Sequence, residues 1–163
     1  MNRYEHSADP LVRLATGALR NRRLMRAPIW LYRARLGFLF GSRLLLLEHV
    51  GRTSGARRYV VLEVVGRPEK GCYVVVSGFG ERSQWFRNLR AHPRARVWSG
   101  ARGPVEVDAR VLDADETAAA LHAYVAAHPR AWQTMKPALE NTLGAPIDDR
   151  GTGLPMVELR TRA

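Results

Sequence analysis

Three apolar, partly β-branched runs joined by two turn-forming clusters constrain this chain most. Residues 43–50, 57–66 and 71–77 each carry strand-like composition, as in Leu44-Leu45-Leu46-Leu47 and Val60-Val61-Leu62-Glu63-Val64-Val65. Gly51-Arg52-Thr53-Ser54-Gly55-Ala56 separates the first pair, and Arg67-Pro68-Glu69-Lys70-Gly71 the second. Clusters of Gly, Pro and short polar residues punctuate the chain at such points, so a three-strand meander is expected. The first turn also has a chemistry. With Arg57 and Arg58 it offers two glycines, two hydroxyls and three arginines in eight residues, a loop of backbone N–H groups and fixed positive charge suited to an anionic phosphate.

Beyond the meander, the spacing predicts a short helix over 84–91 capped by Ser83 and closed by His92-Pro93. Strands over 94–99 and 104–112 follow, joined by Ser99-Gly100-Ala101-Arg102-Gly103. Asp113 and Glu116 form an Asp version of the capping box at the head of a helix reaching about Ala127. His128-Pro129 ends it, a further helix is expected over 131–140, a loop over 144–153, and a last strand from Pro155 to Arg160. Before all of this, residues 1–40 read as an amphipathic helical arm with a restart at Pro28. Six short strands, mostly hairpin-linked, predict an α+β, mainly β, fold: an antiparallel barrel, which leaves no exposed sheet edge. A doubly wound parallel sheet is disfavoured because helices do not alternate with strands.

At 163 residues the chain is expected to be a single domain: the arm (1–40), a barrel core (43–112), and helices with a closing strand (113–163). The net charge of +11 is almost wholly arginine, since Lys70 and Lys136 are the only lysines among 26 basic residues. Residues 1–35 hold eight arginines against Glu5 and Asp9, a block that attracts anionic partners such as lipid headgroups. Nucleic acid is disfavoured, because no recognition motif accompanies the arginines. Cys72 is the only cysteine, which excludes a disulfide framework, and the five histidines lack metal-ligand spacing, so no metal is expected. Neither a secretory signal nor an uncharged apolar run of about 20 residues is present. The expected location is the cytoplasm, with a peripheral membrane contact through the basic arm.

Four local features line up along the core: the loop Gly51–Arg58; Ser77-Gly78-Phe79-Gly80, whose glycines permit close backbone approach; Trp85, Asn88 and Leu89 on one helix face; and Ala91-His92-Pro93. The motifs GRTSGARR (51–58), VVVSGFG (74–80) and WFRNLRAHP (85–93) resemble the deazaflavin-dependent nitroreductase family, whose members use coenzyme F-420. The resemblance spans about Leu44 to Leu112. It implies a split β-barrel similar to FMN-binding barrels, with the cofactor's phosphate toward the basic loop.

By position, the resemblance assigns the anionic tail to Arg52, Thr53, Ser54 and Arg58, with Arg57 as a substitute cation. It gives the deazaflavin ring to backbone groups of Val60, Val61 and Leu62. Ser77, Gly78, Phe79 and Gly80 would line the other side, and Trp85 with Asn88 would close the pocket. Many relatives carry Lys or Arg in place of Thr53, Pro in place of Val61, and some Lys in place of Gly78. The tyrosine-rich segment of the quinone- and nitroimidazole-reducing branch is replaced here by Arg130-Ala131-Trp132-Gln133.

Taken alone, Trp85 and Leu89 also read as the core face of a helix, and the arginine loop as a solvated hairpin. Tyr124 and His128, one helical turn apart, are weak candidates for a proton donor. The function implied is an F-420-dependent oxidoreductase passing a hydride to a small planar acceptor (a quinone, an enone or a nitro compound), as monomer or homodimer. FMN suits the long basic loop less well. The alternative is a non-enzymatic carrier holding a cofactor, fatty acid or tetrapyrrole in the same groove.

Overall fold

Apolar side chains alternate along each strand, and the structure wraps that alternation into a barrel. The computed structural model describes residues 43–100, 103–148 and 153–162. The expected arm over 1–40, with its arginine block, lies outside them. The strands are β1 (Leu44–Val50), β2 (Arg57–Gly66), β3 (Cys72–Val76), β4 (Arg94–Ser99), β5 (Val105–Val111) and β6 (Met156–Thr161). The helices are α1 (Gln84–Ala91), α2 (Ala114–Ala127) and α3 (Pro129–Leu143), with a 3₁₀ turn at Gly80–Arg82. All pairings are antiparallel, and the strands close in the order β1-β2-β3-β6-β5-β4.

Leu45, Leu47, Leu62, Val75, Val107 and Leu159 fill the interior. α1 closes one end of it with Trp85, Phe86 and Leu89. A second apolar layer lies outside the sheet, where Val65, Val74 and Met156 meet Leu121 and Tyr124 of α2 and, at its margin, Trp132, Met135 and Leu139 of α3. Cys72 is buried, and burial followed by the Glu158 charge pushes its thiol up to about 11, so it is inert at neutral pH.

One seam interrupts the barrel. β2 pairs with β1 from Arg57 to Glu63, but with β3 only at Val64↔Val75 and Gly66↔Val74, across a register shift. The N–H of Val64 donates to the carbonyl of Arg43 at 2.7 Å. Antiparallel alternation then turns the backbone groups of Val60 and Leu62 toward β1 as well, and those of Val61 to the opposite edge. There, among the described residues, β3 provides no partner.

Two local expectations changed. Ser83 stands at the start of α1 without capping it. Ser77 donates its one hydroxyl proton to the carbonyl of Gly80 (2.7 Å), so at 2.6 Å the Ser83 hydroxyl donates to Ser77 and tightens the turn between them. The last helix starts at Pro129 rather than 131, because proline is well suited to a first helical position, and it runs on to a left-handed Gly144 (φ 74°).

The capping box of α2 forms as expected: Glu116 N–H donates to Asp113 Oδ1 (2.9 Å) and Asp113 N–H to Glu116 Oε2 (3.0 Å). A hydrogen bond from Arg110 at 2.7 Å is the largest reason that the Glu116 carboxyl titrates below its ordinary value of 4.5. A carboxyl depressed in the folded state stabilises above its unfolded pKa, and that stabilisation is lost as pH falls through the folded value. The thermal stability gap between wild type and Glu116→Ala is therefore expected to shrink as pH drops below 4.5; a constant gap down to strongly acidic pH contradicts this.

Candidate functional site

The loop from Gly51 to Ala56 is built tightly at its base and open at its tip. Gly51 N–H donates to Ala56 O (2.9 Å), and Gly55, at φ 64°, donates to Gly51 O (2.8 Å). A Cβ on Gly51 would come within 2.6 Å of Ser54 Oγ and 3.1 Å of Arg58 Nε, so any side chain there would have to displace the Ser54 hydroxyl. Arg52, Thr53, Ser54, Arg57 and Arg58 are all exposed.

Their cations are held differently. Arg57 lies 3.9 Å from the carboxylate of Glu48. Arg58 makes no ion pair among the described residues. Arg52 leans onto α1: its Nη1 donates to Gln84 Oε1 (2.9 Å) and Asn88 Oδ1 (3.1 Å), and its backbone N–H also donates to Asn88 Oδ1 (3.1 Å). Behind Asn88 stands His49, with Asn88 Nδ2 at 3.1 Å from its Nδ1. Burial first, and the Arg58 charge second, push the His49 imidazole down to about 4, so it is neutral at physiological pH.

The turn Ser77–Gly80 borders the seam. Ser77 and Gly80 are buried, while Phe79 is 55% exposed, a large apolar surface. α3 lies over this turn: a Cβ on Gly78 would meet Leu139 Cδ2, and one on Gly80 would meet Leu143 Cδ2, each at 3.1 Å. These contacts tie α3 to the turn. Trp85, 8% exposed, faces the barrel interior and packs edge-on against Phe86 at 6.1 Å and 88°. The core-face reading describes where it sits, and its part in any pocket is to seat α1.

Tyr124 is buried against the outer face of β2, where its hydroxyl donates to Glu63 Oε1 (3.1 Å), and its ring lies 5.2 Å from that of exposed His128. Burial and the Glu63 charge push the phenol up to about 12. A phenol so held is a poor acid, and Tyr124 anchors α2 to the sheet. Tyr124→Phe is expected to cost about 1 kcal/mol of stability and to leave reductase turnover in place; loss of turnover at unchanged stability contradicts this.

Sequence reasoning missed His49, Gln84 and the helix residues Leu139 and Leu143. The pattern H-x-x-R running into the loop marks His49 and Arg52, but only the fold brings Asn88 between them.

A closed antiparallel barrel with a register shift between β2 and β3, a basic loop and a glycine turn has the architecture of a split barrel. The sequence profile of the F-420H(2)-dependent quinone reductase family matches residues 24–139, and the chain belongs to that family. It is accordingly an oxidoreductase whose cofactor is coenzyme F-420. Among solved structures, it is similar to an F-420-H2-dependent reductase, FDR-A, at 24% identity and TM-score 0.51, covering 72% of this chain and 94% of that one. A protein solved as a domain-swapped dimer matches at 21% identity and TM-score 0.52, over 81% and 96% of the two chains. A heme-binding protein from Mycobacterium smegmatis matches at 18% and 0.52, over 79% and 50%. At these identities the likeness is one of fold. No curated protein matches the chain.

The residues present fit such a cofactor. A phosphate needs uncommitted cations, which Arg58 and the outer nitrogens of Arg52 supply. A flat heterocycle with polar edges needs free backbone groups, which Val61 supplies beside the Ser77–Gly80 turn. No helix among the described residues is long and apolar enough to cross a membrane.

Proposed function

We propose that this protein reduces a small planar acceptor, a quinone or an activated enone in preference to a nitroimidazole. The observation that carries this reading is the edge of β2 at Val61, which β3 does not pair, on the strand that leaves the arginine loop. Arg52, Thr53, Ser54, Arg57 and Arg58 bind the anionic tail through charge-assisted hydrogen bonds. The N–H and C=O of Val61 orient the ring edge. Ser77, Gly78, Phe79 and Gly80 bound the opposite side, and Trp85 with Asn88 hold α1 beneath the loop. When bound, reduced F-420 supplies a hydride to the acceptor. The protein's share is to bind, orient and exclude water, with the acceptor against the apolar face of Phe79.

The segment Arg130-Ala131-Trp132 supports the preference among acceptors, because it offers one indole and no phenol. In a panel of quinones, enones and nitroimidazoles, reoxidation of reduced F-420 is expected to accelerate with the first two and weakly with the third. Binding of F-420 without acceleration by any acceptor would return the chain to the carrier reading.

A further inference from the structure

We propose that His49 is a positioning residue for the anion-binding loop, acting through Asn88 on Arg52. Asn88 is 3% exposed, and its amide stands between two partners. On one side are two donors of Arg52, the backbone N–H and Nη1, each 3.1 Å from Oδ1. A flipped amide would aim its own N–H groups at those donors, so the oxygen must face Arg52 and the NH₂ must face His49. The atom of His49 at 3.1 Å from that NH₂ is Nδ1, which must then accept. His49 is therefore the neutral Nε2–H tautomer, and its 4% exposure and the neighbouring Arg58 cation both disfavour a second proton.

The consequences run outward from the core. A buried acceptor on β1 fixes the amide on α1, the amide fixes both the backbone and the side chain of Arg52, and Gln84 takes the other proton of Nη1 at 2.9 Å. A guanidinium has five N–H donors. With the two on Nη1 committed, Nε and Nη2 remain for an anion at the loop, in an orientation set before the anion arrives. Pre-setting a flexible arginine lowers the ordering cost of binding, which is the advantage His49 confers. Arg58 lies opposite His49 in the β1–β2 register, and the cavity that His49 helps to line also holds Glu48, Glu106, Arg57, Arg94, Arg96 and Arg162.

This inference rests on the reading that the loop binds the F-420 tail, and the test separates the two. First, ¹⁵N chemical shifts of the ligand-free protein report the tautomer of His49 directly. An unprotonated Nδ1 persisting at neutral pH is expected, and a protonated Nδ1 overturns the proposal whatever the protein binds. Second, the dissociation constant of oxidised F-420 is measured for wild type, His49→Leu and His49→Asn. Asparagine carries its side-chain oxygen near the place of Nδ1 and so restores the acceptor, whereas leucine does not. His49→Leu is expected to weaken binding about tenfold and to speed hydrogen exchange at the Arg52 N–H, with His49→Asn returning both toward wild type. Equal affinity and exchange in wild type and His49→Leu, or no recovery in His49→Asn with both variants folded, overturns the positioning role. Failure of wild type to bind F-420 at all refutes the tail reading, while the tautomer and the Arg52 exchange still decide the case of His49.

Discussion

Replacing Arg52 and Arg58 together with alanine is expected to weaken F-420 binding on the order of tens-fold or more at low salt. Each arginine removed costs a charge-assisted contact of about 1–3 kcal/mol, or about 5- to 150-fold in dissociation constant. Arg52 is held by Asn88 and Gln84 on α1, and Arg58 stands on β2 opposite His49, whose ring contacts Asn88 in turn. The two belong to one network, so the double variant is expected to lose more than either single variant without the losses adding in full. Arg57 is a weaker contributor, since Glu48 at 3.9 Å already draws its charge. Titration of the single and double variants by isothermal calorimetry checks the claim. Equal affinity for wild type and the double variant would show that the loop is a solvated hairpin and that the tail is held elsewhere. Raising salt is expected to narrow the gap, because the cations are exposed and screened.

The strands were legible because two independent signals coincide. Alternating or β-branched apolar residues fill Arg57–Gly66 and Arg94–Ser99, and glycine or proline clusters bound them. The α2 capping box was equally legible, being confined to four residues. Local rules failed where a long-range partner outcompeted them. Ser83 has the identity of a cap, but Ser77, six residues earlier, takes its hydroxyl. Closure of the barrel through β1 with β4, and insertion of β6 between β3 and β5, depend on non-local pairing that no window contains.

The site divides the same way. The loop, the glycine turn and the helix face were visible as motifs, and the resemblance to a known family ordered them. The alternation that sends Val60 and Leu62 to β1 and leaves Val61 facing the seam follows from a register known only once β1 and β2 are paired. Likewise Asn88 reads on a helical face as one polar residue among others. Its importance comes from His49 and Arg52, 39 and 36 positions away.

The second large effect concerns α1, which links core and site. Phe86 is 1% exposed in the barrel interior, one residue from Trp85 and two from Asn88. Phe86→Ala removes a fully buried ring and leaves a cavity at the end of the barrel, at an expected cost of about 3–5 kcal/mol. That is a large part of the roughly 5–15 kcal/mol by which a domain is stable, so a lowered urea midpoint is expected. A substitution that only thinned the core would leave affinity alone in the molecules still folded. Here the helix it loosens also carries Gln84 and Asn88, the two residues that hold Arg52. Measured under conditions where the variant is folded, Phe86→Ala is therefore expected to lose F-420 affinity as well. Leu121→Ala, which opens a cavity in the outer apolar layer under α2 and not in the interior cluster that seats α1, serves as the comparison: it is expected to lose stability by about 2–5 kcal/mol and to keep its affinity. If both variants bind F-420 equally well, α1 does not couple the packing of the barrel to the anion loop.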